Sequence, residues 1–274
     1  MGFFSSKEPD IVNLKTEKDI NGLIKALGHR NVWVRREAAI ALGESGDMRA
    51  IEPLVMSLGD FSINHTAIES LVKIGLPAVI PLTEALGGND ELTMMGAIKA
   101  LSMIGDWRAV EPLVSLLLFL LDDRVKNIRA ITEVIDALVL LNDERVIEPL
   151  INLLDDDGPG DHAEQALIKI GEPAIIPLIF AFHRESVIAW SHMYRIFASI
   201  GQPAVLPLLE AIACDDINIR IGAATSLGYI GDISALEPLL RRYEQIKMDT
   251  FDDFLETSAI VKAVENIRLQ SKIN

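Results

Sequence analysis

Residues 32–54 read VWVRREAAIALGESGDMRAIEPL, and their pattern returns six more times along the 274-residue chain. The stretch joins two helical patterns through a Gly-Asp turn, and an apolar residue followed by proline opens the second helix. These prolines are Pro53, Pro81, Pro112, Pro149, Pro177, Pro207 and Pro238, at intervals of 28, 31, 37, 28, 30 and 31 residues. Intervals of this size are typical of stacked helical hairpins, so the sequence predicts an all-α solenoid of about eight hairpins.

Each repeat places a turn residue and two apolar residues at fixed positions. The turn residues are Gly46, Gly75, Gly105, Asn142, Gly171, Gly201 and Gly231. Gly and Asn tolerate the left-handed conformation that ends a helix, so these positions predict the end of each first helix. Four residues earlier stand Leu42, Leu71, Leu101, Leu138, Leu167, Phe197 and Leu227, and eight residues earlier Ala38, Ala67, Ala97, Val134, Ala163, Met193 and Ala223. We expect the larger side chain to fill the groove that the smaller one leaves between helices.

The repeats set the expected domain organisation. We predict one solenoid over residues 1–274, with a capping unit at 1–30, seven repeats at 31–247 and a capping helix at 248–274. Within the first unit, residues 16–27 predict a second helix whose N-cap is Thr16, with Asp19 in its first turn.

Composition excludes several classes of protein. The chain is 50% hydrophobic and only 5% aromatic, which favours an aliphatic helical core. Its formal net charge of −15 repels nucleic acid and anionic membranes, and no apolar run reaches the ~18 residues that span a bilayer. Cys214 is the one cysteine, so no internal disulfide forms and a reducing compartment is compatible. We expect a cytoplasmic protein without a cofactor.

The residues VRREAAIALGESGD followed by AIEPL resemble HEAT-like repeats of the phycobilisome-lyase (PBS lyase) type, over roughly residues 17–247. The resemblance implies paired helices stacked into a superhelix, with the second helices lining a concave surface. It also implies a ladder of Arg and Asp along the stack. Arg occupies the ladder position at Arg35 and Arg220, whereas the other repeats carry Asn64, Met94, Ile131, Gly160 and Trp190, so we expect a partial ladder.

Two enzyme groups carry similar repeats, and neither supplies a catalytic residue here. Deoxyhypusine hydroxylase places His-Glu dipeptides around two irons, and this chain contains no such dipeptide. His162 and Glu164 come nearest, but residues two apart on a helix point to different faces, so we predict no metal site. Chromophore lyases act with a partner subunit, and their repeats define no catalytic residue. Cys214 is favoured as a structural thiol.

The functional prediction is therefore a non-catalytic scaffold that binds a protein segment along its concave face. No small-molecule substrate is evident, and the alternative is an accessory subunit of a bilin-lyase-like enzyme that acts on a chromophore-bearing protein. Polar residues of the second helices that the apolar spacing leaves outside the core are Glu52, Ser57, Thr83, Glu84, Ser115, Asn152, His183, Glu210 and Arg241. We expect these residues to line a groove for the partner.

An aromatic cluster lies between residues 180 and 197. Trp190, Tyr194 and Phe197 follow one another at helical spacing and share one face, and His183 lies nearby. Two interpretations remain open for this cluster. It either supplies an anchor for the partner, with Trp190, His183 and Tyr194 as candidates, or it repacks a wider gap between repeats.

Aspartates recur in the loops between hairpins. They are Asp60, Asp90, Asp122, Asp123, Asp155, Asp156, Asp157, Asp215 and Asp216. Asp at these places caps the following helix, and stacking of the repeats would align the carboxylates along one edge. Such an acidic ridge favours a partner with a basic segment.

Overall fold

The computed structural model of the protein describes residues 9–156, 158–184 and 186–272, and helices are the only regular elements in these ranges. The chain divides into two compact units on either side of the Asp143–Glu144 bond, called unit 1 and unit 2 below. The prediction of an all-α helical-repeat fold is confirmed, whereas the single-domain organisation stays a prediction.

Unit 1 contains four first helices, four second helices and one helix before them all. They are α1 (Ile11–Thr16), α2 (Ile20–Ala26), α3 (Val32–Ser45), α4 (Ile51–Met56), α5 (Asn64–Ile74), α6 (Val79–Ala85), α7 (Glu91–Ile104), α8 (Val110–Leu120) and α9 (Arg124–Leu141).

Unit 2 begins with a second helix and ends with the longest helix of the described chain. Its helices are α10 (Ile147–Leu153), α11 (Pro159–Ile170), α12 (Ile175–Ala181), α13 (Val187–Ile200), α14 (Val205–Ala211), α15 (Ile217–Ile230), α16 (Leu236–Gln245) and α17 (Phe251–Gln270). From α3 onward, odd-numbered helices are the first and even-numbered helices the second of each hairpin.

The predicted core positions are buried in every repeat. The seven anchors that precede the turn residues have no exposed surface, and neither do the leucines that follow the repeat prolines. Those leucines are Leu54, Leu82, Leu113, Leu150, Leu178, Leu208 and Leu239. The two sets place each hairpin's core on one side of both helices, which is what a repeat array needs to bury apolar surface against its neighbours.

The turns between paired helices have the predicted left-handed residue in four repeats, at Gly46, Gly105, Asn142 and Gly231. Gly75, Gly171 and Gly201 share the positive φ but have ψ values of −134°, −128° and −134°. All seven turn residues have positive φ, including Asn142 at 48°. In the Gly-Asp turns, the Asp carboxylate accepts the backbone N–H two residues later, as Asp47 does from Arg49 at 2.9 Å. Hydrogen bonds from the side chain and from the backbone N–H of Arg49 lower the pKa of the Asp47 carboxyl to about 2. Asp therefore caps the short 3-10 turn that leads into the second helix.

The start of the first unit differs from the prediction. Thr16 ends α1, and its hydroxyl donates to the carbonyl of Val12 at 2.8 Å instead of capping a new helix. Asp19 is the N-cap of α2, because its carboxylate accepts the N–H of Gly22 at 2.9 Å. Lys18, between the two helices, has a positive φ of 54°, which ends α1 and lets α2 begin after Asp19.

Three of the loop aspartates have the predicted local role, whereas α5 and α11, which follow Asp60 and Asp155, begin without a side-chain cap. Asp90, Asp123 and Asp216 are the N-caps of α7, α9 and α15, and each accepts backbone N–H groups from the first turn. Asp157 lies outside the described residues. The alignment of the carboxylates along one edge stays a prediction.

No single described helix is long and apolar enough to cross a membrane. Asn64–Ile74 and Leu76–Ala85 satisfy the length and composition criteria only as a pair, and a bend of 115° separates them.

Candidate functional site

The second helices of unit 2 share one register, and that register defines an outward-facing surface. The residue before each proline and the third residue after it are exposed, because the intervening leucine turns into the core. We call the resulting surface the second-helix face of unit 2. Its residues are Glu148, Asn152, Ile176, Phe180, Leu206, Glu210, Glu237 and Arg241.

The centre of the second-helix face is apolar. Ile176 and Phe180 on α12 are 51% and 63% exposed, and Leu206 on α14 is 66% exposed. α12 packs against both α10 and α14, so the two apolar helices lie side by side in the middle of the face. Three large apolar side chains on two neighbouring helices are thus exposed to water on this face.

Charged residues flank this centre. On α10, Glu148 lies 3.8 Å from the guanidinium of Arg184, which also donates to Asn152. On α16, Arg241 pairs with Glu237 one helical turn earlier. Glu210, which neighbours the apolar centre on α14, makes no ion pair with any of the described residues. The face therefore leaves one carboxylate available beside its apolar centre.

The groove residues predicted for unit 1 differ in their exposure to solvent. Glu52, Glu84 and Ser115 are exposed as predicted, and Thr83 is half-buried with its hydroxyl donating to the carbonyl of Ile80 at 2.8 Å. The prediction for Ser57 is wrong. This side chain is buried and donates to the carbonyl of Pro53 at 2.8 Å, because α4 ends one residue earlier and Ser57 turns inward in the following 3-10 turn.

The aromatic cluster packs around Phe182, which is fully buried at the end of α12. Trp190 meets the Phe182 ring edge-on, with ring centroids 5.7 Å apart, while Tyr194 and Phe197 stack on it at 5.8 and 5.9 Å. The three rings of α13 do share one face, as predicted. Gly222 of α15 supplies the space, since a Cβ there would lie 2.4 Å from the Phe182 ring.

Trp190 is half-buried and occupies the ladder position of its repeat, where its indole N–H donates a hydrogen bond. Four residues at this position donate a side-chain hydrogen bond to the carbonyl six residues earlier, which lies just beyond the end of the preceding second helix. The pairs are Arg35 with His29, Asn64 with Leu58, Trp190 with Arg184, and Arg220 with Cys214. The four residues therefore make the same local contact, a side-chain hydrogen bond to a carbonyl of the loop after a second helix, and Trp190 takes the place of an arginine in it.

The two arginines of the ladder also reach acidic residues of the next repeat. Arg35 Nε lies 2.8 Å from Asp60 Oδ2, and Arg220 Nε lies 2.9 Å from Glu256 Oε2. Glu256 is buried on α17 and receives a second guanidinium, that of Arg242, at 2.6 Å. This buried acid lies 36 residues beyond Arg220, in a segment outside the repeat pattern, so the sequence did not indicate it.

The remaining partner-site candidates are His183 and Tyr194. His183 is exposed after α12, with Nδ1 2.9 Å from the carbonyl of Phe180, next to the second-helix face. Tyr194 is half-buried and stacks on Tyr229 at 5.4 Å. Burial raises the pKa of Tyr194 to about 12, despite a hydrogen bond with Thr225 that favours the ionised form.

A buried ion-pair cluster that the sequence did not indicate joins α11 and α13. Glu164 Oε2 lies 2.6 Å from His192 Nδ1 and 2.7 Å from Arg195 Nη2, and both Glu164 and His192 are buried. His162, by contrast, is exposed, so it and Glu164 point to different faces as predicted. Burial disfavours ionised Glu164, but the bonds from Arg195 and His192 outweigh it and lower the pKa of this carboxyl.

By geometry, this cluster is also the place where a metal ion could bind. Ligand atoms of Asp161, Glu164 and His192 all lie within 4.8 Å of one another. The guanidinium of Arg195 already occupies the same carboxylate, so a metal ion would have to displace it. Glu164 and His192 are 28 residues apart, and only the stacking of α11 on α13 brings them together.

Cys214 is half-buried directly after α14. Its thiol lies 3.4 Å from the carbonyl of Asp216, which accepts the weak S–H hydrogen bond. This contact with the cap of α15 is consistent with the structural role expected from the sequence.

A protein-family model agrees with the repeat architecture. The PBS lyase HEAT-like repeat matches the chain at residues 34–60, 132–156 and 219–245. Human deoxyhypusine hydroxylase in complex with glycerol is 19% identical over 94% of this chain and 99% of that chain, with a TM-score of 0.38. The complex of CpcE and CpcF of phycocyanin lyase from a Nostoc species is 20% identical over 97% and 98%, with a TM-score of 0.32.

An engineered protein gives a third likeness, 17% identical over 96% of this chain and 92% of that chain, with a TM-score of 0.28. No curated protein matches the sequence.

Proposed function

We propose, on the premise that this chain is built from HEAT-like repeats of the PBS lyase type, that it is a non-catalytic scaffold for protein partners. In this proposal a partner segment binds along the second-helix face of unit 2. The observation that carries the proposal is the exposed apolar centre formed by Ile176, Phe180 and Leu206.

Folding does not require apolar residues at these positions. At the position before the proline, where unit 2 has Ile176 and Leu206, four other repeats carry an exposed glutamate. These glutamates are Glu52, Glu111, Glu148 and Glu237. The remaining repeat has Ile80 there, 50% exposed, so the position accepts either an exposed apolar residue or a glutamate, and Ile176 and Leu206 are available to a partner.

The arrangement also has the anatomy of a protein interface. Interfaces bury an apolar centre inside a polar, charged rim, and aromatic residues supply much of the binding energy. Phe180 is the aromatic residue of the centre, and the rim contains Glu148, Glu210, Glu237 and Arg241. A partner segment with an apolar anchor fits this pattern.

The charge of the chain favours a basic partner segment. Glu210 is exposed beside the apolar centre without an ion-pair partner among the described residues, and the whole chain carries a net charge of −15. A Lys or Arg next to the partner's apolar anchor would therefore meet a free carboxylate and a favourable long-range field.

The other candidates extend this proposal. His183 contacts the carbonyl of Phe180, and Trp190 and Tyr194 pack on the ring of Phe182, two residues after Phe180. On α6 of unit 1, Glu84 occupies the corresponding register and Thr83 precedes it, and both stay candidate partner contacts of unit 1. A cytoplasmic location is part of the proposal, supported by the single cysteine.

The test begins with identification of the partner. The full chain, immobilised, captures proteins from an extract of its source cells, and the captured protein is identified by mass spectrometry. Its affinity is then measured by calorimetry for the wild type and for the variant with Phe180→Asp and Leu206→Asp. We expect the variant to bind at least tenfold more weakly, because both substitutions place charge in the apolar centre.

Phe61→Asp is the matched control. Phe61 is 88% exposed in unit 1, so the control makes the same chemical change away from the second-helix face of unit 2. The control should bind as tightly as the wild type, and melting temperatures should agree among the three proteins. Equal affinity of the Phe180/Leu206 variant and the wild type would refute the proposed site.

The second candidate function is an accessory role beside a bilin lyase. The observation that favours it is the match of three stretches to the PBS lyase HEAT-like repeat. The test is bilin transfer to a chromophore-free phycobiliprotein by a lyase subunit, with and without this chain. No change in the rate of transfer would remove this candidate and leave the scaffold proposal intact.

A further inference from the structure

The first helix α7 has no side-chain donor at a position where other first helices have one. Arg35, Trp190 and Arg220 are each the fourth residue after the N-cap of their helix, and each donates to the carbonyl six residues earlier. Met94 is the fourth residue after Asp90, the N-cap of α7, and its thioether sulfur carries no hydrogen to donate. The repeat of α7 therefore lacks the contact that these three repeats share.

The carbonyls that such a donor would reach belong to Gly88 and Asn89, in the loop between α6 and α7. Within the described ranges of the chain, no residue donates a hydrogen bond to either carbonyl. Both residues are exposed. Two neighbouring acceptors therefore stand open at the end of this second helix.

Two other repeats without Arg or Trp at the ladder position close the equivalent place in another way. In the repeat of Ile131, Asn127 Nδ2 donates to the carbonyl of Leu120 at 3.0 Å. In the repeat of Gly160, the imidazole of His192 takes the space of a side chain, since a Cβ on Gly160 would lie 3.4 Å from its Nε2. The repeat of α7 is different, because an open pocket lies there.

This pocket has a volume of about 470 Å³ and is lined by α6, α7 and α8 of unit 1 and by the loop between α6 and α7. Gly87 and Gly88 are part of the lining, and because glycine has no side chain they present backbone atoms. The apolar lining includes Met94, which is half-buried, and Phe119, which is 71% exposed. Carbonyl acceptors beside apolar side chains suit a long side chain with a cationic head.

The arginines of the other repeats show which cationic head fits. Arg35 Nη1 donates to two successive loop carbonyls at 3.0 and 3.3 Å, and Arg220 Nη1 does the same at 3.0 and 2.9 Å. Arg35 Nε also pairs with Asp60, in the loop that follows α4. The loop that follows α8 contains Asp122 and Asp123. A guanidinium is therefore the group that this chain itself uses at such a place.

We propose that the pocket binds an arginine side chain of a protein partner, which supplies in trans the guanidinium that other repeats supply in cis. The guanidinium donates to the carbonyls of Gly88 and Asn89, and the aliphatic stem packs on Met94 and Phe119. The net charge of −15 favours the approach of a cationic group.

This inference shares with the proposed function only the premise that the chain binds protein. The pocket belongs to unit 1, whereas the proposed second-helix face belongs to unit 2. Both tests below use the full chain without a partner. Either proposal can therefore fail while the other stands.

Met94→Arg tests the acceptor carbonyls with an arginine of the chain itself. Met56→Arg is the matched control, because Met56 is 79% exposed on α4 and the substitution adds the same charge away from the pocket. In thermal unfolding, Met94→Arg should melt at a higher temperature than Met56→Arg, since only its guanidinium gains the two loop carbonyls. A Met94→Arg variant that melts at or below the temperature of Met56→Arg would overturn the proposal.

Titration with N-acetylargininamide tests occupancy by an arginine from outside the chain. In NMR spectra, the amide signals of Gly87, Gly88 and Asn89 should shift and saturate in the wild type and in Met94→Leu, which keeps the pocket open. The same signals should not respond in Met94→Arg, whose own side chain fills the pocket. N-acetyllysinamide should bind about tenfold more weakly, because an ammonium lacks the planar fork that reaches both carbonyls.

Two outcomes of the titration would contradict the proposal. Equal responses of the wild type and Met94→Arg would show that the probe binds elsewhere. Free arginine that binds more tightly than the blocked probe would assign the pocket to the amino acid and not to a protein side chain. The variant with Phe180→Asp and Leu206→Asp should bind the probe as the wild type does, and a loss of binding there would refute the assignment of the site to unit 1.

Discussion

Replacing Trp190 by alanine separates packing from partner binding in the aromatic cluster. Trp190 is half-buried, its ring meets Phe182 edge-on at 5.7 Å, and its indole N–H donates to the carbonyl of Arg184 at 2.8 Å. The substitution removes the ring contact and leaves a helix-end carbonyl without its side-chain donor. Both losses act on the folded state, so we expect the main effect on stability.

The size of the effect follows from these two contributions. Truncating a fully buried Trp to Ala costs about 3–5 kcal/mol, and a half-buried ring loses about half of that. The lost hydrogen bond adds about 1 kcal/mol. The total is ~2–4 kcal/mol, which corresponds to a melting temperature lowered by about 3–7 °C for a protein of this size.

Trp190→Arg is the informative comparison. Arginine stands at this ladder position in Arg35 and Arg220, where it donates to the carbonyl six residues earlier. The arginine variant should therefore recover the hydrogen bond, lose only the ring contact, and unfold at a temperature between those of the alanine variant and the wild type. Thermal unfolding followed by circular dichroism measures all three proteins.

The affinity of each variant for the captured partner completes the experiment. If Trp190 acts through packing, the alanine variant is less stable and binds the partner with unchanged affinity at a temperature where it is folded. An alanine variant with the wild-type melting temperature and at least tenfold weaker partner binding would refute this reasoning. It would instead place Trp190 in the binding site, as the sequence also allowed.

Glu256→Ala should destabilise the protein by about 3–5 kcal/mol in urea unfolding, since this buried acid holds the guanidinium groups of Arg220 and Arg242; an effect below 1 kcal/mol would contradict the ion-pair assignment. Asp47 should titrate by NMR with a pKa of about 2, and Arg49→Ala should return it towards 3.8. Because the pKa of Asp47 is lower in the folded than in the unfolded state, the stability that Asp47 contributes is present above about pH 4 and is lost as the pH falls through about 2. An unchanged pKa of Asp47 in the Arg49→Ala variant would count against the Asp47–Arg49 ion pair. Gly222→Ala should destabilise by ~1–3 kcal/mol because the new Cβ meets the Phe182 ring, whereas Gly28→Ala, whose Cβ has ordinary contacts only, is the control that should be near neutral. Protein purified without an affinity tag should contain far less than one iron or zinc per chain, since Arg195 already occupies Glu164; elemental analysis that finds about one metal ion would show that the cluster binds it.

The apolar centre of the second-helix face shows what sequence reasoning missed and why. The repeat register identified His183, Glu210 and Arg241 as candidates because polar residues on a helix face are easy to assign to solvent. Ile176 and Leu206 were not among the candidates, and Phe180 was considered only as part of the aromatic stretch 180–197, since an apolar residue gives no sign of which way it points. The signal was present in the glutamates that occupy the same register in four other repeats.

The sequence by itself determined the helical repeat, its turns and its core. A proline, a Gly or Asn and a leucine recur at fixed positions every 28 to 37 residues. Proline and Gly or Asn each favour a backbone conformation locally, without help from distant contacts. Tertiary structure decided the rest. Glu164 meets His192, and Glu256 meets Arg220, only because stacked helices bring residues 28 and 36 positions apart into contact. How far each helix rotates about its axis is set by packing against its neighbours, and that rotation decides which apolar side chains reach water.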